Sequence, residues 1–154
     1  MCIRDSIFTA FTMEAYLNHV GPQIFECWDD LERLPPLSKL NLTAEKLGVR
    51  KDEGKRPYQT VSKVFKFRND LAHGKSVFLK SNNVIQIDDE GFDKHIDKPL
   101  KTKWENYCTQ DNANRALEDT DAIIKDLHER AGMPLDSLFV FGIQEDSGML
   151  LREE

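Results

Sequence analysis

Three side chains near the middle of the chain could together act on a phosphate group. Arg68, Asn69 and His73 lie within residues 67–75, with four residues between the arginine and the histidine. Histidine transfers protons near neutral pH because its unperturbed pKa is about 6.5. Arginine stays charged and offers phosphate oxygens a planar fork of donors. This combination of residue types predicts metal-independent chemistry at a phosphodiester.

RNA carries its own nucleophile, the 2′-hydroxyl group beside each phosphate. It can be cleaved if a base removes the hydroxyl proton, a cation stabilises the crowded phosphate oxygens and an acid protonates the leaving 5′-oxygen. We assign proton transfer to His73, phosphate stabilisation to Arg68, and orientation of the phosphate or of Arg68 to Asn69. Flanking phosphates would be bound by three lysines, Lys63, Lys66 and Lys75. The predicted substrate is single-stranded RNA.

The spacing of Arg68 and His73 limits how one helix can use both side chains. Five residues turn an α-helix through about 500°, which leaves the two about 140° apart around its axis. Either the helix ends before His73, as Gly74 permits, or the site pairs this motif with a second copy across a two-fold axis. A structural role is the alternative. Arg68 could pair with a carboxylate on a neighbouring helix, and the helix dipole stabilises a histidine in a last turn without any catalytic task.

The segment of residues 67–75 resembles the Arg-x4–6-His motif of HEPN domains (higher eukaryotes and prokaryotes nucleotide-binding). In that motif a polar residue usually follows the arginine, as Asn69 follows Arg68 here. The resemblance covers roughly residues 11–75 in helical pattern. The resemblance implies a homodimer in which two facing motifs build one cleft. The activity it implies is that of an endoribonuclease, in a bacterial defence, abortive-infection or toxin–antitoxin system. An antitoxin or a nucleotidyltransferase is the partner it implies. The alternative is a non-catalytic HEPN-like module that binds RNA, nucleotide or a partner protein.

Apolar residues at helical spacing predict the elements that position this motif. We expect a first helix at residues 7–20 that ends at Gly21-Pro22, and a second from Pro22 to Leu34. A third should run between Leu37 and Leu47 with Gly48 as its C-cap, and the motif helix should have Pro57 in its first turn and end before Gly74. Thr102 and Glu105 have capping-box spacing and predict a long helix that ends near residues 132–134.

Residues 77–80 and 84–87 flank a turn-forming Ser-Asn-Asn sequence and predict a short β-hairpin. Residues 138–143 are an apolar run that fits either a strand or a docked extended segment. The predicted fold class is therefore mainly α, a HEPN-like helical bundle of about five helices with a small inserted β-hairpin. One domain should span residues 7–145, followed by a flexible tail at residues 146–154.

The first six residues, Met-Cys-Ile-Arg-Asp-Ser, resemble the translation of a transposon-end adapter used to prepare sequencing libraries. We therefore expect residues 1–6 to be an artefact, and the native chain to continue upstream of Ile7. Leaving them out reduces the three cysteines to Cys27 and Cys108, which have no zinc or thioredoxin spacing.

The 154 residues, 40% hydrophobic and 31% charged, suit one soluble domain. No run approaches the roughly 18 apolar residues of a membrane span. Two lone cysteines argue against a disulfide-stapled secreted scaffold, so we expect a cytoplasmic protein. We assign no cofactor and no metal, because the acidic cluster at residues 88–97 fits no calcium loop and reads as solvated.

Charge is distributed unevenly along the chain. The formal net charge is −6, yet residues 50–80 carry nine basic and three acidic side chains, a local charge of +6. A basic segment on an acidic body can attract a polyanion at one face. The alternative is an ordinary solvated helix face that is rich in lysine.

Overall fold

The computed structural model describes residues 2–74, 76–80, 100–135 and 138. Within these residues the chain forms six helices, which are α1 Cys2–Ile24, α2 Trp28–Leu31, α3 Pro36–Lys46, α4 Tyr58–His73, α5 Lys103–Tyr107 and α6 Gln110–Arg130. The prediction of a mainly α fold is confirmed for this part of the chain. No helix in it is both long and apolar enough to cross a membrane.

The long helix α1 lies at the centre of the packing and contacts α3, α4 and α6. Helix α4 packs in turn on α3, α5 and α6, so the motif helix is held from several sides. Apolar side chains at helical spacing form one continuous core. Its fully buried larger members include Met13, Leu17, Leu40, Val61, Val64, Ile123 and Leu127.

Helix α1 does not end at Gly21-Pro22, so that prediction is wrong. Pro22 lies inside the helix, which continues to Ile24. Pro22 has no N–H to donate to the Asn18 carbonyl, so the last turn of α1 has one helical hydrogen bond fewer. Gly21 is required for tertiary packing, since a Cβ at this position would come within 2.2 Å of the Trp28 ring.

The second predicted helix, residues 22–34, is also wrong in its bounds. Residues 22–24 belong to α1 and only Trp28–Leu31 forms a separate helix, because the chain turns after α1 and brings the Trp28 side chain back onto Gly21. The Trp28 ring is 8% exposed, and the ammonium of Lys39 on α3 lies 5.8 Å from the ring centroid. This short turn therefore joins the end of α1 to α3.

The third helix and the motif helix are confirmed. Helix α3 begins at Pro36, and Gly48 beyond its end has a φ of +69°. Helix α4 follows Pro57 and ends at His73, and Gly74 caps it in the left-handed conformation with a φ of +46°. Glycine adopts positive φ without the steric penalty of other residues, so both ends were readable from sequence.

The predicted long helix after Thr102 is divided into α5 and α6 at Cys108-Thr109. Its capping box is confirmed, since the Thr102 hydroxyl accepts the Glu105 N–H and the Glu105 carboxylate accepts the Thr102 N–H. A second cap starts α6, where the Thr109 hydroxyl accepts the Asn112 N–H at 3.2 Å. The Asn112 amide also donates to the Tyr107 carbonyl, which stabilises the break.

Several predictions fall wholly or partly outside the described residues. Residues 77–80 form no strand, and the predicted turn and second strand at residues 81–87 are not described, so the hairpin is not shown. The domain end at residue 145 and the tail beyond it also lie outside. Residues 2–6 belong to α1, and the Ser6 side chain is 1% exposed. Their origin in an adapter stays a prediction.

A partly buried ion pair links the residue two positions before α4 to α6. The Arg56 Nε donates to Asp119 Oδ2 at 2.8 Å, and Nη2 donates to Oδ1 at 2.9 Å. The Asp119 side chain is 9% exposed, whereas that of Arg56 is 51% exposed. Burial alone would raise the pKa of Asp119, but hydrogen bonds from Arg56 and Thr60 and the Arg56 charge lower it on balance.

We expect Arg56→Met to lower the melting temperature by several degrees at pH 7, because it leaves the buried Asp119 carboxylate without its cation. Because the pKa of Asp119 is lower in the folded chain than in the unfolded chain, its carboxylate stabilises the fold at pH values above the unfolded pKa of about 3.9. This contribution is lost as the pH falls through the pKa of the folded chain. The difference from wild type should therefore shrink below about pH 4. Thermal melts at pH 7 and pH 3 measure this.

Glu118→Gln is the matched control for Arg56→Met. It removes the other carboxylate near Arg56, at 3.3 Å, but this pair is exposed on both sides. Exposed pairs contribute little, so we expect a melting temperature close to wild type. Equal effects of the two substitutions at pH 7 would contradict the assignment of the stabilisation to Asp119.

Candidate functional site

The last two turns of α4 carry the predicted motif, and apolar contacts hold these turns in place. Phe67 is 3% exposed, and its ring centroid lies 5.0 Å from that of Tyr107 on α5. Val64, one turn earlier, is buried in the core. The Gly74 N–H bonds the Asp70 carbonyl at 3.3 Å and closes the helix. These two apolar contacts and the closing hydrogen bond thus hold the backbone that presents the motif.

Arg68 points toward α1 and makes three contacts. Its Nη2 donates to Glu14 Oε2, its Nη1 donates to Asn69 Oδ1 at 3.0 Å, and its guanidinium carbon lies 5.7 Å from the Phe11 ring centroid. The Arg68 and Glu14 side chains are 23% and 27% exposed. The buried Nε of Arg68 has no hydrogen-bond partner within the described residues. In a single chain, therefore, a carboxylate and an aromatic ring hold the guanidinium.

His73 is placed quite differently. Its side chain is exposed, and within the described residues it makes no hydrogen bond or ion pair. Asn69 is exposed as well, and its amide oxygen accepts the Arg68 contact. The imidazole of His73 is therefore accessible to a ligand.

Helical geometry groups the remaining site residues on one face of α4. Lys66 and His73 are seven residues apart and therefore lie within about 20° of each other around the axis. Lys63 and Asn69 lie within about 60° of Lys66 on either side. All four side chains are exposed, whereas Arg68 lies on the side that contacts α1. We call Lys63, Lys66, Asn69 and His73 the exposed face of α4.

The structure thus separates Arg68 from His73 within one chain. Helix α4 includes His73, so the histidine does not leave the helix and turn back toward Arg68. This removes the first of the two arrangements expected from sequence. The second arrangement, in which the site pairs two copies of the motif across a two-fold axis, stays a prediction.

Much of the positive charge predicted for residues 50–80 is already neutralised. Four of the basic side chains form ion pairs with carboxylates: Lys51 with Glu53, Lys55 with Asp52, Arg56 with Asp119 and Arg68 with Glu14. Lys63 donates to the Gln59 amide oxygen at 3.2 Å and keeps its charge unpaired. Lys66 makes no described polar contact, and Lys75 lies outside the described residues. Four described basic side chains of this segment form no ion pair with a described residue, and two of them, Lys63 and Lys66, lie on the exposed face of α4, whereas Arg50 and Lys80 lie outside that helix.

Sequence reasoning missed two residues of this site, Phe11 and Glu14 on α1. They lie one helical turn apart and both contact Arg68. An exposed aromatic residue three positions before a carboxylate is a weak signal, and nothing local connects it to a residue 54 positions away. Only the packing of α1 against α4 brings the three together.

Comparison with protein-family models, curated proteins and solved structures finds no match to this chain. The resemblance to HEPN domains therefore rests on the motif residues. Within the part of the chain that the structure describes, no group of three His, Cys, Asp or Glu side chains could hold a metal ion. The acidic cluster at residues 88–97 lies outside that part.

Proposed function

We propose that this chain is a HEPN-like, metal-independent endoribonuclease that acts as a homodimer on single-stranded RNA. The setting that fits this activity is a bacterial defence or toxin–antitoxin system in the cytoplasm, with an antitoxin or nucleotidyltransferase as partner. In the full HEPN-like fold we place the inserted hairpin between α4 and α5. The proposal concerns a reaction that needs only the side chains of α4 and the 2′-hydroxyl group of the substrate.

One observation carries the proposal. His73 is exposed and unpaired within the described residues, and it shares a helix face with two lysines, Lys63 and Lys66. The lysines can bind two backbone phosphates, which positions the chain of an RNA along the helix. His73 then lies where it can remove the proton from a 2′-hydroxyl group.

The reaction can be balanced with two copies of the motif. The imidazole of one His73 takes the 2′-hydroxyl proton as the oxygen attacks phosphorus, and the bond to the 5′-oxygen breaks. A water molecule gives a proton to that leaving oxygen, and the imidazolium returns its proton to the hydroxide that remains. The other copy of the motif supplies Arg68. Arg68 stabilises the charge on the non-bridging oxygens. The products are a 2′,3′-cyclic phosphate and a free 5′-hydroxyl.

The contact between Arg68 and Glu14 favours a second candidate, a non-catalytic module that binds RNA through the exposed face of α4. In this candidate Arg68 only fastens α4 to α1, and Lys63, Lys66 and His73 contact phosphates without cleavage. Both candidates use the same face, so they are separated by the fate of the RNA and by the role of Arg68.

Incubation of the purified chain with a panel of single-stranded RNAs in excess EDTA tests the proposal. We expect shortened RNA with 2′,3′-cyclic phosphate ends, while DNA of the same sequences stays intact because it lacks the 2′-hydroxyl group. Binding of intact RNA with no cleavage across the panel would select the second candidate. Cleavage that EDTA abolishes would contradict both the mechanism and the assignment of His73.

Glu14→Gln tests whether Arg68 contacts phosphate. Releasing the guanidinium from its carboxylate should increase RNA affinity by roughly 3- to 10-fold, because a charged donor becomes available to the ligand. Fluorescence anisotropy with a labelled RNA measures this. Glu32→Gln is the control, since it makes the same charge change at an exposed position in the chain after α2. Equal affinities of the two variants would indicate that Arg68 serves only to join α1 and α4.

A further inference from the structure

The aromatic ring of Phe11 lies beside the cation that the proposed reaction uses. The guanidinium carbon of Arg68 is 5.7 Å from the ring centroid, and Phe11 is 48% exposed. A single exposed apolar side chain is common on protein surfaces. The position of this ring next to Arg68 sets it apart, because a ligand that reaches the guanidinium can also reach the ring.

The core of the fold does not use Phe11. Ala10, Met13 and Leu17 form the buried side of α1, and each is 0% exposed. Two residues turn a helix through about 200°, so Phe11 lies about 160° from Met13 around the axis of α1. Among the described residues, Phe11 belongs neither to the core cluster nor to the partly buried side chains that pack against it. A ligand can therefore contact the ring without disturbing the core.

Arg68 and Phe11 together match the two parts of a nucleotide. A guanidinium binds phosphate oxygens, and the face of an aromatic ring stacks on a base. In RNA one sugar joins each base to its phosphate, so a single nucleotide can contact two protein groups that lie side by side. Stacking tolerates any base, since every base has a π-face. A base in a duplex is paired and stacked on its neighbours, so it cannot make this contact unless it is flipped out.

We propose that Phe11 is a stacking platform for one base of a bound single-stranded RNA, and that Arg68 contacts the phosphate of the same nucleotide. This inference rests on the RNA binding of the proposed function, and it adds α1 to an RNA interface that otherwise consists of α4. It also gives single-strand preference a structural cause, because the platform accepts an unpaired base and rejects a paired one. Phe11 binds the substrate and takes no part in proton transfer.

Paired changes in the protein and in the RNA test the proposal. A labelled RNA is remade with one base removed at each position in turn, and binding is measured by fluorescence anisotropy in chains that carry His73→Ala, which keeps the RNA intact. At one position, loss of the base should weaken binding roughly 5- to 150-fold, the usual contribution of one stacked base. Adding Phe11→Ala should weaken binding of the intact RNA by a similar factor, and removal of that base should then have no further effect.

Phe8→Ala is the matched control for Phe11→Ala. Phe8 is 60% exposed on the same helix, but it lines a groove between α1 and α6. Its loss should leave the affinity and the dependence on the sensitive base unchanged. Phe11→Tyr keeps an aromatic ring and should bind RNA like the parent chain. The melting temperature should stay close to wild type in all three variants, since neither phenylalanine belongs to the described core.

Three results would overturn the inference. The first is a loss of affinity in Phe11→Ala that is the same for intact RNA and for every RNA that lacks a base, which would mean that the ring only holds Arg68. The second is a change of oligomeric state in Phe11→Ala with no sensitive base, which would place the ring in a contact between two copies. The third is no binding of any RNA by the wild-type chain, which would end both candidate functions as well. RNA that is bound through a sensitive base but is not cleaved would contradict the nuclease alone and support the platform.

Discussion

Replacing His73 with alanine is expected to lower the rate of RNA cleavage by roughly 10²- to 10⁴-fold, the usual contribution of a general acid or base. Affinity for RNA should change little, because the two lysines of the exposed face of α4 remain. The melting temperature should also stay close to wild type, since the His73 side chain is exposed and has no partner within the described residues. Single-turnover cleavage and binding, measured on the same RNA, separate these effects.

His19→Ala is the matched control for His73→Ala. It removes an exposed imidazole from α1, whose hydrogen-bond partner among the described residues is Gln23 of the same helix. Cleavage should stay near the wild-type rate. If His73→Ala cleaves RNA as fast as His19→Ala does, the histidine has no catalytic role and the binding module takes the place of the enzyme.

Mixing two inactive variants should recover activity if each cleft takes Arg68 from one copy and His73 from the other. In an equal mixture of Arg68→Ala and His73→Ala chains, half of the dimers are mixed and one of their two clefts is intact. The expected recovery is therefore about a quarter of the wild-type rate, provided that subunits exchange. Arg68→Lys should remain impaired despite its charge, because the planar fork of donors is lost.

The control for this experiment is a chain that carries both Arg68→Ala and His73→Ala. Mixed with either single variant it leaves every cleft incomplete, so no activity should return. Sedimentation at micromolar concentration gives the oligomeric state in parallel. A monomer that still cleaves RNA would contradict the composite cleft, whatever the outcome of the mixing.

The elements that sequence predicted correctly are those with local causes. Helix α3 and the C-terminal end of α4 have apolar stripes and glycines at the capping positions, and the capping box of α5 involves residues three apart. Each of these signals acts within one or two helical turns. They therefore remain readable without knowledge of the tertiary structure.

One of the two errors in helix bounds arose where a distant side chain decides the local structure, and the other arose where a local signal was overlooked. Gly21-Pro22 has the composition of a helix end, but Trp28 packs on Gly21 and the helix continues past the proline. The break between α5 and α6 had a local signal, because Thr109 caps the start of α6. This signal was overlooked because the apolar residues from Trp104 to Leu127 keep helical spacing across the break. Periodicity alone cannot detect a break when both helices continue the same pattern.

The candidate site was predicted in part. The motif residues and their position on a helix end followed from their types and spacing, and the angle between Arg68 and His73 followed from helix geometry. The partner of Arg68 could not be foreseen, because any of the chain's 27 acidic residues could have supplied it. Glu14 is selected only by the crossing of α1 and α4.

The pairing of α1 with α6 joins the two ends of the described chain and sets when the core can form during synthesis. Met13, Leu17 and Val20 on α1 belong to the same core as Ile123 and Leu127 on α6. At 5–20 residues per second, a ribosome needs about 5–20 s to proceed from the end of α1 to the end of α6. Throughout that interval α1 can pack only on α3 and α4, so the part of its apolar face that α6 covers stays exposed until α6 has been made.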